Sequence, residues 1–405
     1  MRFAILGLML ALTSAAPAPP APAPPAPTVP LADAGVVRLA ADAESRWVPF
    51  DLTPGNQVRF TLMLEGRPLT AVLDTGVSVS VLARGSAAVD AARLRPGGRA
   101  TAIGGDVTVG WMPTRTLTLG GLTRTGGGVA VTALPAAATG SGSAGVDMLI
   151  GADLLGGHAL DIDYPARRFR LIASGRLPFT GSVAPLGLLR RWRVYASELA
   201  LGGQMLRPMV VDTGDGSAVT VTKAGWAGAG LARLATTSSL AQGLAGPMVT
   251  DLAIVPSLSV GALAARSVEV RSEVEGSFSQ AIGAAGRIGT GFLQRYRVLL
   301  DPRAGRMVFS PGPKTDAPPL RSTSGLLLGL ERDRLTVLHV MKNGPAAAAG
   351  GWQAGDTICA VDGVAVSPAY AASADARWSA GAPGRVVTLA LCDGRTRTLT
   401  LAHFY

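Results

Sequence analysis

The sequence predicts a mainly β protein: two tandem units of one kind, then a small α+β unit. Three observations carry this. The 405 residues include 52 glycines and 28 prolines, which confine apolar runs to strand-sized stretches of about four to eight residues. Hydrophobic residues make up 48 % and charged ones 16 %, enough to fill cores, and the length calls for about two to four domains. Third, Asp-Thr-Gly occurs twice, in VLDTGVSVSVL from Val72 and in VVDTGDGSAVT from Val210, each time after an apolar pair.

Taken from the start, residues 1–15 read as a secretory signal. Arg2 supplies a positive start, residues 3–12 an apolar stretch, and Thr13 and Ala15 the small residues before a cut. The expected location is therefore exported, periplasmic or secreted. That apolar stretch is too short to span a bilayer, and no later segment reaches about 18 apolar residues without a charge. No transmembrane segment is expected after cleavage. Residues 16–42 form a linker whose Ala/Pro alternation, running to Pro30, favours an extended polyproline II spacer. The net charge of +10 is spread as single arginines. With no basic run interleaved with aromatics, nucleic acid is excluded as a partner.

Residues 43–182 and 183–312 are the two repeated units. Asp74 and Asp212 lie 138 residues apart. At that offset Ile150-Gly151 falls on Ile288-Gly289, Asp163 on Asp301, and Ala166 and Arg168 on Ala304 and Arg306. TLTLGGL from Thr116 answers SLSVGAL from Ser257 after a small insertion. Landmarks in one order over roughly ninety residues amount to an internal duplication. RFTLMLEGRPLTAVLD reads as a hairpin with its turn at Glu65-Gly66-Arg67. Asp74 and Asp212 then stand where an apolar strand ends, with the following glycine expected to permit a tight turn.

An apolar pair, Asp-Thr-Gly, and an apolar-apolar-Gly about 75 residues on together resemble the aspartic protease pattern. One unit resembles a retroviral-type (retropepsin) subunit; two in one chain resemble the bilobal, pepsin-like arrangement with pseudo-two-fold symmetry. The resemblance implies an exported aspartic-type endopeptidase acting on peptides or proteins, with Asp74 and Asp212 as catalytic residues. It implies support from Thr75, Gly76, Ser78, Thr213 and Gly214, the threonines bonding across the interface and the Ser78 hydroxyl assisting the carboxylate. Two carboxylates about 3 Å apart cannot both ionise, so they share a proton and split their pKa values, the aspartic proteases being the familiar instance. The ionised partner activates a water while the protonated one donates to the substrate carbonyl. No metal, cofactor or covalent intermediate is needed, and two motifs in one chain imply a monomer. A flap hairpin is expected in each unit, with Gly104 and Gly105 at the first tip and Gly243 answering in the second. Trp111 is read as a core residue rather than a flap-base aromatic.

Two departures bear on activity. The second motif continues Asp215-Gly216-Ser217, which displaces the supporting serine and adds a carboxylate; Asp215 is expected either to raise the dyad's pKa or to point to solvent. Arg287 stands before Ile288-Gly289, where the family has an apolar residue. They motivate the alternative of a catalytically silent peptide-binding scaffold or adaptor. Other chemistries have little support. His158, His339 and His403 are scattered, Gly-x-Ser-x-Gly is absent, and GSGSAG from Gly140 reads as a loop.

Residues 313–319 form a Pro-rich linker, and residues 320–405 are similar to a bacterial-type PDZ domain. The matching residues are Gly344, Pro345, Ala346, Ala349, Gly355, Asp356, Ile358, Asp362 and Gly363. The resemblance implies that a C-terminal or internal peptide adds as a strand. Its carboxylate-receiving loop would lie at Gly325, Leu326, Leu327, Leu328 and Gly329. An independently folding unit is expected. Cys359 and Cys392 could form a disulfide or be small buried strand residues.

Overall fold

A computed structural model describes residues 34–141 and 145–405. The expected signal segment, most of the Ala/Pro-rich linker, and residues 142–144 of the Gly-rich loop lie outside the described residues. The protein is mainly β, with 47 % strand and 10 % helix. Among the described residues no helix is long and apolar enough to cross a membrane.

Strands from residues 36–150 form an eleven-stranded sheet, and strands from residues 187–289 form an eight-stranded one. Period-two patterning sets the inward faces. In Val58–Leu64 the buried residues are Val58, Phe60, Leu62 and Leu64. That strand turns at Glu65 and Gly66, both at positive φ, the requirement of a tight two-residue hairpin turn, and returns as Arg67–Leu73.

The two sheets repeat one local arrangement. Arg67–Leu73 runs parallel to Met148–Ile150, which runs antiparallel to Val81–Ala83. Gln204–Asp212 likewise runs parallel to Gly286–Gly289, which runs antiparallel to Val219–Val221. Each unit also carries a long hairpin, Arg95–Ala102 with Gly105–Pro113, and Thr237–Gly243 with Gly246–Val260.

A six-stranded sheet joins the units. Ala159–Asp163 pairs antiparallel with Tyr296–Asp301, setting Leu160 opposite Leu300 and Ile162 opposite Val298. One apolar core runs continuously through both units. The repeated Asp-x-x-Ala signature closes a turn in each, where Asp163 Oδ1 accepts from Ala166 N and Asp301 Oδ1 from Ala304 N, both at 3.1 Å. The carboxylate offers its own chain a local acceptor, and the next strand can fold back.

Residues 326–400 build a further sheet with its own core around Val337, Ile358, Trp378 and Leu389. Asp362 and Gly363, both at positive φ, turn Thr357–Val361 into Val364–Ala365, and Pro345 opens the short helix Pro345–Ala349. Cys359 and Cys392 form a disulfide. The pairing follows from register: Ile358 faces Leu391 across adjacent strands, and Cys392 N donates to Thr357 O just past them.

Candidate active site

Arg67–Leu73 and Gln204–Asp212 lie in different sheets, and the two Asp-Thr-Gly motifs at their ends meet across the interface between the units. The threonines interlock reciprocally. Thr75 N donates to Thr213 Oγ1 and Thr213 N to Thr75 Oγ1, each at 3.1 Å. Thr75 Oγ1 donates to Val211 O at 2.5 Å and Thr213 Oγ1 to Leu73 O at 3.0 Å. Both threonines are fully buried, so these four bonds answer polar groups that would otherwise be costly to bury.

The motif glycines serve a different purpose from the one the sequence suggests. Neither Gly76 nor Gly214 has a positive φ, so the backbone there is open to other residues. What excludes a side chain is the opposite carboxyl. A Cβ on Gly76 would lie 2.6 Å from both carboxyl oxygens of Asp212, and a Cβ on Gly214 would overlap the carboxyl of Asp74. Each glycine is thus the floor on which the other unit's carboxyl rests. Gly76 N donates to Asp74 Oδ1 at 3.0 Å, and Gly214 N and Asp215 N donate to Asp212 Oδ1 at 2.9 and 3.1 Å.

The loop after each motif is sealed by the later glycine. Ala152 N donates to Val77 O and Thr290 N to Asp215 O, at 2.9 and 2.7 Å. A Cβ on Gly151 would collide with Val77 O, and one on Gly289 with Asp215 O. This is the physical content of the apolar-apolar-Gly landmark.

Asp74 and Asp212 are both buried. Burial first, then the Asp212 charge, pushes the Asp74 carboxyl well above the ordinary carboxylate range. Burial and the Asp215 charge push Asp212 up as well, while Arg287 and the Gly214 N–H oppose the rise. The Asp212 charge pushes Asp74 up, whereas Arg287 beside Asp212 favours its ionised form, so the proton is favoured on Asp74.

Asp215 does not point to solvent. Its side chain is 11 % exposed, and Oδ2 lies 2.8 Å from Arg287 Nε. Oδ1 accepts from Ser217 N and Oγ at 2.9 and 2.6 Å. Burial acts to raise its pKa, but Arg287 and Ser217 outweigh burial and hold it below the ordinary value. Arg287 Nε also stands 4.0 Å from Asp212 Oδ2, and Nη1 pairs with the buried Glu273 and with Ser279 Oγ. The two departures from the motif pattern are therefore the two halves of one buried ion pair.

The Ser78 hydroxyl donates to the carbonyl of Trp192. It ties the first motif's loop to the second unit. Gly104 and Gly105 stand at the turn of the first hairpin and Gly243 at the turn of the second. The tips touch, with Ala245 N donating to Ile103 O at 3.2 Å. They close a cavity of about 430 Å³ that has Asp74 and Asp212 in its lining. Trp111 is buried, its ring against Gly128.

Gln57 and Glu273 were not singled out by the sequence reasoning. Gln57 Nε2 donates to Gly214 O and to Ala138 O, steadying the second motif from the first unit. A signal existed, because Tyr195 stands at the same 138-residue offset and its N donates to Thr75 O at 3.3 Å. Glu273 has no such counterpart, and only the chain's path brings it to Arg287.

At the turn expected to receive a peptide carboxylate, the amides are already engaged. Thr323 N and Ser324 N donate to Ser379 O, Gly325 N to Ser322 Oγ, and Leu326 N to Ser324 Oγ. Leu326, Leu327, Leu328 and Gly329 belong to the strand Leu326–Leu330.

No protein-family model matches the chain, and no curated protein matches it.

Proposed function

We propose that this chain is an exported aspartic-type endopeptidase. It would comprise two retropepsin-like lobes related by a pseudo-two-fold axis and a C-terminal PDZ-like unit. The observation that carries the reading is the mutual packing of the two motifs, each carboxyl seated on the other unit's glycine and the threonines bonded reciprocally. A structural repeat needs no such reciprocity at two buried carboxyls whose pKa values are both raised.

In this reading Asp74 keeps the shared proton and Asp212 is the ionised partner. Its Oδ1 is held by the Gly214 and Asp215 amides, and Arg287 favours its charge. Asp212 takes a proton from a water as its oxygen bonds to the peptide carbonyl carbon, and Asp74 gives its proton to the carbonyl oxygen. Asp212 then passes a proton to the leaving nitrogen, the C–N bond breaks, and Asp74 recovers its own. No cofactor enters. The two hairpins act as flaps that part to admit an extended peptide and exclude water once closed. Against the silent-scaffold alternative, Asp215 and Arg287 are paired with each other rather than standing as isolated charges beside the carboxyls. The Cys359–Cys392 disulfide supports an oxidising, exported setting.

The test is to incubate the purified chain from residue 16 onward with a diverse peptide library between pH 3 and 7 and to sequence the products. Cleavage by the wild type and none by Asp74→Asn is expected. Cleavage that persists in Asp74→Asn defeats the reading.

A further inference from the structure

The C-terminal unit is seated on the second hairpin. Thr237 Oγ1 donates to Lys342 O at 2.6 Å, Lys342 N to Ser238 Oγ at 3.0 Å, and Asn343 Nδ2 to Thr236 O at 3.1 Å. Ser238 Oγ lies 2.8 Å from His339 Nε2; having accepted from Lys342 N, its proton is free to go to the imidazole. Lys342 Nζ pairs with Asp251 at 3.3 Å. Leu252 packs with Met341 and Tyr405 in a buried apolar cluster. Ser238 and Leu252 are both buried at this contact, so part of the hairpin is covered by the C-terminal unit rather than by its own lobe.

The same seating brings Leu327 into the lining of the cavity, in company with Leu240 and Arg271 of the second unit. Leu327 sits on Leu326–Leu330, the outermost strand of its sheet, whose only strand partner among the described residues is Leu335–Val340. A polypeptide that leaves the cavity past Leu327 therefore meets an unpaired strand edge that can take it up as an added strand. The amides of residues 323–326 are committed internally, so this edge offers no socket for a chain-terminal carboxylate.

Resting on the endopeptidase reading above, we infer that the C-terminal unit is a wall of the substrate cleft rather than a detached receptor. Leu327 is a specificity-determining contact for an apolar side chain. The unit holds the second hairpin over the two carboxyls, and the ligand is an internal, extended stretch of polypeptide.

The test uses the full chain carrying Asp74→Asn, so that binding is read without turnover, and extended peptides blocked at both ends or free at the C-terminus. Adding Leu327→Arg should weaken peptides with a large apolar side chain at one particular position at least tenfold and favour acidic ones there. Leu327→Ala should weaken the same peptides less. Blocked and free peptides should bind within about twofold of each other. Unchanged preference in both Leu327 variants overturns the inference, as does a tenfold requirement for a free carboxylate. Separately, Met341→Asp in the full chain should speed amide exchange in Thr237–Gly243 at least tenfold while Gln204–Asp212 is unchanged; equal exchange overturns the seating. Peptide binding without wild-type cleavage defeats the endopeptidase reading alone, whereas loss of all peptide binding overturns both.

Discussion

Replacing Arg287 by glutamine removes the cation that lies between Asp215 and Glu273. The side chains of these three residues are 3 %, 11 % and 1 % exposed, so water cannot take over the lost charge. Breaking a buried ion pair from one side costs about 3–5 kcal/mol. At roughly 2–4 °C per kcal/mol for a body of this size, Tm should fall by roughly 6–20 °C at neutral pH. The sign depends on pH. In the wild type Asp215 is held below its ordinary value, so its contribution is present above the unfolded pKa and lost as pH falls. In the variant the raising effect of burial is unopposed, and the folded carboxyl titrates above the unfolded one. That variant is penalised increasingly as pH rises from about 4 through the new folded pKa, by about 1.4 kcal/mol for each tenfold fall in proton concentration between the two pKa values. Urea unfolding of both full chains at pH 4.5 and 7.5 should therefore show a gap that is wide at 7.5 and narrow at 4.5. The triple change Arg287→Met, Asp215→Asn, Glu273→Gln should recover much of the loss, since neither residue 215 nor residue 273 then carries an unpaired buried charge. A gap of equal size at both pH values would refute the charge argument and leave only lost packing.

Asp74→Asn and Asp212→Asn should each abolish peptide hydrolysis, and the double variant should do little more, as groups acting as a unit require; product analysis by mass spectrometry decides it. Gly76→Ala pushes the Asp212 carboxyl away from a contact of 2.6 Å. A displacement approaching 1 Å should cost about a hundredfold in kcat, with the circular dichroism spectrum unchanged. Asp215→Asn removes a charge that raises Asp212 while Arg287 remains. Both limbs of the pH profile of kcat/KM should move to lower pH, and fixed limbs would mean that Arg287 already cancels Asp215. Reducing the Cys359–Cys392 bond opens a closure spanning 33 residues, worth roughly 3–4 kcal/mol in the chain-entropy account; calorimetry should show the C-terminal unit melting earlier.

Much of this was legible from residue order. Period-two runs such as Val58–Leu64 report which face of a strand meets the core, a local property of the backbone. The repeated Asp-Thr-Gly made Asp74 and Asp212 stand out, and the 138-residue register reports that the stretches around them fold alike. Those signals stop at the strand's end. The motif glycines seemed to answer a demand of backbone geometry, whereas the demand is steric and comes from a carboxyl 138 residues away. Ser78 seemed committed to its own motif, but the chain passes Trp192 close by and the hydroxyl bonds there instead. Asp215 and Arg287 looked like two separate faults because 72 residues divide them, and only folding shows that they are bonded to each other. The C-terminal unit's own core was readable as a separate body, but its seating on the second hairpin was not. Periodicity and spacing record what a residue needs from its neighbours in the chain. Which distant side chain meets that need depends on the path of the backbone between them.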